Sequence, residues 1–218
     1  DAYKLSHQPY AGYAAPISYF YDHDREQGMD LHKHIVDDVM WNGSPSKQSV
    51  ALTMVRHGET DWNKEGKLQG GRGDISLNDT GKSQSTAVAK DLSKEKFDVI
   101  LTSQLKRATE TAEIIAKELD VSIVEQNPLF RERDYGDWEG RLKSDVIKEV
   151  GRENVTSISS VTIPNGESAT EFMRRAQAAL VHIRKEYPGK KVLFIAHMGI
   201  MRAMQSLTDN LSYAETSA

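Results

Sequence analysis

The 218-residue sequence has no cysteine. That excludes thiol nucleophiles, zinc–thiolate sites and disulfide scaffolds, and leaves the compartment open, because a cysteine-free chain survives anywhere. Long apolar runs are also missing: nothing approaches the ~20 consecutive apolar residues of a membrane-spanning helix. Basic runs are absent too, and the net charge is −4. Nucleic acids and anionic membranes both need clustered Lys and Arg, so neither is expected as a partner. A cytoplasmic location is the expectation, with the reservation that the first residue is Asp1 rather than Met, as in a longer or processed protein.

What is there divides in two. Residues 1–48 hold five of the eight tyrosines (Tyr3, Tyr10, Tyr13, Tyr19, Tyr21) and three of the six prolines (Pro9, Pro16, Pro45). This reads as an extension too aromatic for a solvated tail, partly packed on the domain that follows. Within it, Ile17–Tyr21 reads as a strand and Asp30–Met40 as a short helix, and Asn42–Ser46 is a break built of turn-forming residues. From Ser49 to Ala218 strand and helix patterns alternate. Val50–Val55, Asp98–Thr102 and Lys191–Ala196 are short apolar runs of the kind buried strands show. Helices are expected from Asn78 to about Leu92, Gln104–Leu119, Ser144–Val150, Glu167–Tyr187 and from about Gly199. Such alternation indicates parallel strands with helical crossovers, an α/β fold.

Ligands of open parallel sheets bind beyond the carboxyl ends of the strands. The first strand runs into Arg56-His57-Gly58-Glu59-Thr60, the second into Ser103 with Lys106 and Arg107, and the third into His197-Met198-Gly199. Two histidines and two arginines therefore reach one rim. Arginine offers planar, permanently charged donors to a phosphate dianion. A neutral imidazole can act as a nucleophile and split one slow displacement into two faster ones. The departing alkoxide then needs a proton from a nearby carboxyl. Candidates for that carboxyl lie in the acidic, aromatic segment Phe130–Gly140.

The motifs Arg56-His57-Gly58-Glu59-Thr60 with Trp62-Asn63, Leu68-Gln69-Gly70, Leu77 and Gly81 resemble the opening of the histidine phosphatase superfamily, which includes the cofactor-dependent phosphoglycerate mutases. Ser103–Ala108 with Thr111-Ala112, Arg131-Glu132-Arg133 with Gly136 and Trp138-Glu139-Gly140, Gly166-Glu167-Ser168, and Ala196-His197 are similar to its later motifs, in the right order. The resemblance implies a three-layer α/β/α sandwich with a mostly parallel central sheet. It implies that His57 is the nucleophile and becomes phosphohistidine. Arg56, Arg107 and His197 would hold the phosphoryl oxygens, assisted by Asn63 and the backbone near Gln69 and Gly70. Glu132 would be the acid for the leaving group and then the base for water. Neither a metal nor a cofactor is expected.

Two departures stand out. Relatives often have Gly directly after the last His, where this chain has Met198. The chain also stops 21 residues past His197, where relatives usually continue into one more strand; a C-terminally truncated domain with an open sheet edge is expected, and Ile17–Tyr21 is the segment expected to fill that edge. His32 and His34 lack a third ligand and read as a solvent-facing pair. Glu59 reads as an internal hydrogen-bond partner, Met201, Met204 and Leu207 as core, and Trp62, Trp138 and Tyr135 either as substrate walls or as packing.

The expected activity is that of a metal-independent phosphomonoesterase, on the phosphatase branch of the family, with a small phosphorylated substrate as its partner. A homodimer is left open. The alternatives are a phosphoglycerate mutase using the same residues and an inactive binding or regulatory module. Against the mutase, only 25 residues separate Gly140 from Gly166, whereas mutases carry a long insertion there that covers the site.

Overall fold

The computed structural model describes residues 19–22, 30–36, 50–156 and 161–209. Its strands are β1 (Tyr19–Asp22), β2 (Asp30–Val36), β3 (Val50–Arg56), β4 (Val99–Thr102), β5 (Ile123–Gln126) and β6 (Lys191–Ala196). They form one sheet in the order β1-β2-β3-β6-β4-β5. The four strands from β3 to β5 run parallel, while β1 and β2 add antiparallel to the β3 side.

Helices α1 (Asp61–Lys64), α2 (Asp79–Leu92), α3 (Lys106–Leu119), α4 (Lys143–Val150), α5 (Arg152–Thr156), α6 (Ala169–Glu186) and α7 (Met198–Asp209) connect and cover the sheet. The period-two alternation of the strands decides which helix lies on which face. Leu52, Met54, Leu101, Val192 and Phe194 pack with Phe172, Ala176 and Ile183 of α6 and Ile200 and Met204 of α7. Val55, Ile100, Leu193 and Ile195 point the other way, onto Ala89 and Leu92 of α2 and Ala112 and Ile115 of α3. The result is the three-layer α/β/α sandwich. Burying each such Leu, Ile or Phe contributes about 1.5–3 kcal/mol, so both helical layers are fixed against the sheet that carries the strand ends. A smaller cluster of Leu68, Trp138, Val146, Val155 and Ile163 anchors α4 and α5 beside the loops at the rim.

Local chemistry sets the helix starts. Asn78 accepts from Gly81 N at the head of α2, and Ser168 forms a capping box with Glu171 at the head of α6, each satisfying otherwise unpaired first-turn N–H groups. Helix α3 has no such residue of its own. Its Lys106 N instead donates to Asp74 Oδ1 at 2.7 Å, which ties the helix to the loop between α1 and α2.

Two expectations are corrected. Asp30–Val36 is a strand, not the start of a helix: its seven residues suit either period, and the open ladder of β3 supplies backbone partners that a short helix lacks. The segment beside β3 is this strand, and Tyr19–Asp22 pairs one position further out, so Ile17–Tyr21 does not itself fill the edge. Strand β5 and helix α5 were not foreseen. Ile17, Ser18, residues 37–48 with the break at Asn42–Ser46, and the end of the chain near Ala218 lie outside the described residues. Among the described residues no helix is long and apolar enough to cross a membrane.

Candidate active site

The parallel register brings the chemistry together. Strand β6 lies between β3 and β4, and the ladders continue past the strand ends: His57 N donates to Ala196 O at 3.0 Å and Ser103 N to Ile195 O at 3.3 Å. His57 and Ser103 therefore flank His197, the residue after β6. The two imidazole rings lie 5.1 Å apart, tilted by 56°.

Their partners fix both tautomers. His57 Nδ1 lies 2.7 Å from Gly58 O, and a carbonyl can only accept, so Nδ1 carries the proton and Nε2 keeps its lone pair. Arg107 Nε donates to His197 Nδ1 at 3.2 Å. His197 Nε2 is then the protonated nitrogen and donates to Ser103 Oγ at 2.9 Å. Burial pushes both rings well below the ordinary imidazole range, and the positive charges of Arg107 and Arg56 push them further. Both stay neutral at neutral pH, one with a free lone pair and one as a donor.

Arg107 is fully buried. Burial lowers its guanidinium to about 10 against the opposing pull of Glu132, which still leaves it charged. Besides His197 it donates to Gly73 O at 2.7 Å and Gly70 O at 2.9 Å. The loop that supplies these carbonyls is itself held by the Glu139 carboxylate, which accepts from Gly73 N at 2.7 Å and from Arg72 N and Tyr135 N at 3.2 Å. Of the five N–H groups of Arg107, three are engaged in these bonds among the described residues.

Glu132 is 7% exposed. Its carboxylate accepts from Arg133 N at 2.8 Å and from Gly199 N, in the first turn of α7, at 2.8 Å. That second bond links it to the element following His197. Arg56 ends β3, and its charge acts on both histidines and on Arg107. Asn63 and Gln69 form a separate node. The Thr60 hydroxyl donates to Gln69 Oε1 at 2.8 Å and accepts from Asn63 N at 3.2 Å, while Asn63 Oδ1 accepts from Thr60 N. Gln69 Nε2 is buried without a partner, and Gly70 joins this node to Arg107. The structure therefore ties His57, His197, Arg107, Gly70 and Glu132 into one contact network, with Arg56 in electrostatic reach and Asn63 and Gln69 along its border.

Several side chains take plain structural roles. Glu59 accepts from Asn78 Nδ2 at 2.9 Å. The Trp62 ring packs on Gly73 and Gly140, and Trp138 and Tyr135 belong to the cluster under α4 and α5. Lys106 is exposed and paired with Asp74. The reading from residues alone left out Ser103 and Gly199 as parts of the site, and held Glu139 only among the candidate acids of Phe130–Gly140. Ser103 could have been found by its place directly after β4. Nothing local marks Gly199 as the partner of Glu132.

A buried pair of neutral imidazoles, two guanidinium groups and a carboxyl suits binding and transfer of a phosphoryl group. Comparison with known proteins agrees. The chain is 41% identical over 155 residues to an uncharacterized phosphatase, PhoE, of Bacillus subtilis, covering 71% of this chain and 75% of that one. It is 32% identical over 174 residues to a 2,3-bisphosphoglycerate-dependent phosphoglycerate mutase of Bartonella bacilliformis, covering 75% and 84%. The solved structure of Bacillus stearothermophilus YhfR superposes with a TM-score of 0.69 at 26% identity, covering 77% of this chain and 83% of that one. With residues 52–217 matching its sequence profile, the chain belongs to the histidine phosphatase superfamily, branch 1.

Proposed function

We propose that this family member is a metal-independent phosphomonoesterase acting on a small phosphorylated substrate through a phosphohistidine. The observation that carries this is the His57 Nδ1–H bond to Gly58 O, which reserves the Nε2 lone pair for attack. In the first step Nε2 forms a bond to phosphorus, the ester P–O bond breaks, and the Glu132 carboxyl gives its proton to the departing oxygen. In the second, the Glu132 carboxylate takes a proton from water as the water oxygen bonds to phosphorus and the P–N bond breaks, which restores His57 and releases inorganic phosphate. Arg56, Arg107 and the His197 Nε2–H, with Asn63 and the Gln69–Gly70 backbone, hold the phosphoryl oxygens throughout. His197 exchanges its Ser103 contact for one to the phosphoryl group.

A mutase would use the same residues but must keep water from the phosphohistidine while the bound intermediate reorients. The 25-residue segment between Gly140 and Gly166, with the short helices α4 and α5, makes a small cover and favours hydrolysis. The test supplies p-nitrophenyl phosphate in the presence of EDTA and, separately, 3-phosphoglycerate with catalytic 2,3-bisphosphoglycerate. Phosphate release undiminished by EDTA, without isomerisation, upholds the reading. Formation of 2-phosphoglycerate faster than release of phosphate reverses it in favour of the mutase, and no turnover with either supports the inactive module.

A further inference from the structure

Below the loop that carries Glu132 sits a buried ion pair that the mechanism does not use. Arg175 of α6 and Glu167 are only 10% and 9% exposed, with Arg175 Nη2 2.7 Å from Glu167 Oε2. A guanidinium has five N–H groups, and here all five are committed. Nε and Nη2 donate to the two Glu167 oxygens at 2.8 and 2.7 Å. Nη1 donates to Leu129 O at 2.9 Å and Arg131 O at 2.7 Å. The remaining Nη2 hydrogen goes to the carbonyl of Glu132 itself at 3.2 Å.

Glu167 continues the clamp on the other side. Its Oε2 accepts from Asp134 N at 3.3 Å and its carbonyl from Arg133 Nε at 3.1 Å, and its own N donates to Asp134 O at 2.8 Å. Residues 129, 131, 132, 133 and 134 are thus all tied to one buried pair. The ties run to the backbone and leave the Glu132 side chain alone, so the pair sets where the backbone presents it. Phe172, stacked 5.1 Å below the guanidinium, holds the clamp to α6.

We infer that Arg175, braced by Glu167, is a positioning residue for the Glu132 carboxyl, setting its reach to the leaving-group oxygen. The inference rests on Glu132 being the general acid. Lysine offers three donors at a point rather than five in a plane, so Arg175→Lys keeps the charge and loses the geometry. A small misplacement of Glu132 harms both of its proton transfers, but only the first depends on the leaving group, and kcat/KM reads that first step.

The experiment measures kcat/KM for p-nitrophenyl phosphate and for an alkyl phosphate in the wild type, Arg175→Lys, Glu132→Gln and the double variant. Arg175→Lys is expected to slow the alkyl ester more than the nitrophenyl ester by about 10- to 100-fold, the scale of a 1 Å misplacement. In the Glu132→Gln background the same substitution is expected to leave the ratio of the two esters unchanged, because the acid it positions is gone. Equal slowing of both esters, or an undiminished effect in the double variant, overturns the inference and leaves the phosphatase reading intact. A Glu132→Gln variant without leaving-group dependence overturns both. Should Arg175→Lys fail to fold, Glu167→Gln is expected to give the same ester-selective loss, and a loss equal for both esters counts against the inference.

Discussion

Arg107 Nε donates to His197 Nδ1 at 3.2 Å, and burial, with the charge of that arginine, holds the imidazole neutral. His57, 5.1 Å away, is kept neutral by the same burial and the same arginines. The folded state therefore resists protonating two rings that the unfolded chain protonates freely near pH 6.5. Below that pH the unfolded state binds more protons, so stability falls as pH falls. Between pH 6.5 and 5.5 the loss is at most about 1 kcal/mol for each ring. Urea unfolding at the two pH values checks this, and His57→Gln should remove about half of the histidine contribution. A stability independent of pH across this range would contradict the neutral assignment.

His57→Ala is expected to lower kcat by on the order of 10⁴-fold or more, as removal of a nucleophile does elsewhere, and to abolish acid-labile phosphoenzyme. Quenched reactions with labelled substrate read both quantities. Phosphate still trapped on the variant would place the nucleophile elsewhere, and His197 would be the next residue to examine.

How far the sequence reached can be judged from particular elements. Strands β3, β4 and β6 and helices α3 and α6 were legible because each is apolar at its own period, helix α2 because Asn78 and Thr80 can cap its start, and the residues after the three central strands marked the site. The strand at Asp30–Val36 was not. Leu31 and Ile35 fit a helical and a strand period alike, and what decides between them is the unpaired edge of β3, a long-range fact. Strand β5 alternates half-buried with exposed residues over only four positions, too few to carry a pattern. Arg175 follows Arg174 and precedes Ala176 and Gln177, and reads as a solvated helix face; its five bonds exist only once the loops have packed.

Glu132→Gln is expected to reduce kcat/KM, which reads the first step alone, by ~10²–10⁴-fold for an alkyl phosphate, and much less for p-nitrophenyl phosphate, whose leaving group is stable without a proton. Trapped phosphoenzyme should accumulate with the nitrophenyl ester, because the same residue activates water in the second step. Rapid-quench kinetics with both esters reads the split. Equal losses would assign the proton to another group.

Removing the extension tests how the sheet edge is managed. Strand β2 pairs with β3 from Leu31↔Val55 to Val36↔Val50, the strand that ends at Arg56 and His57. Deleting residues 1–40 exposes that ladder, and an open edge invites pairing with other chains. A lower melting temperature with activity retained is expected, together with self-association seen by light scattering. An unchanged melting temperature would mean that the pairing contributes nothing to stability.

Two glycines should fail in opposite ways when changed to alanine. At Gly81, in the first turn of α2, a Cβ would overlap the backbone N, C and O of Glu59. Backbone on both sides cannot yield without moving the motif loop, so Gly81→Ala should destabilise by about 1–3 kcal/mol. At Gly199 the overlap is with the carboxylate end of Glu132, a side chain that can swing aside. Alanine also favours the helix, by up to about 1 kcal/mol over glycine, so Gly199→Ala should leave the melting temperature unchanged or raise it. Its cost falls on chemistry, because the displaced carboxylate loses the Gly199 N–H bond at 2.8 Å. Turnover of alkyl phosphates should drop about 10- to 100-fold, on the scale of a misplaced acid, with the nitrophenyl ester less affected. Thermal unfolding and two-ester kinetics on both variants separate the cases. A Gly199→Ala protein that is destabilised yet keeps the wild-type ratio of ester rates would show that Gly199 serves packing rather than the acid.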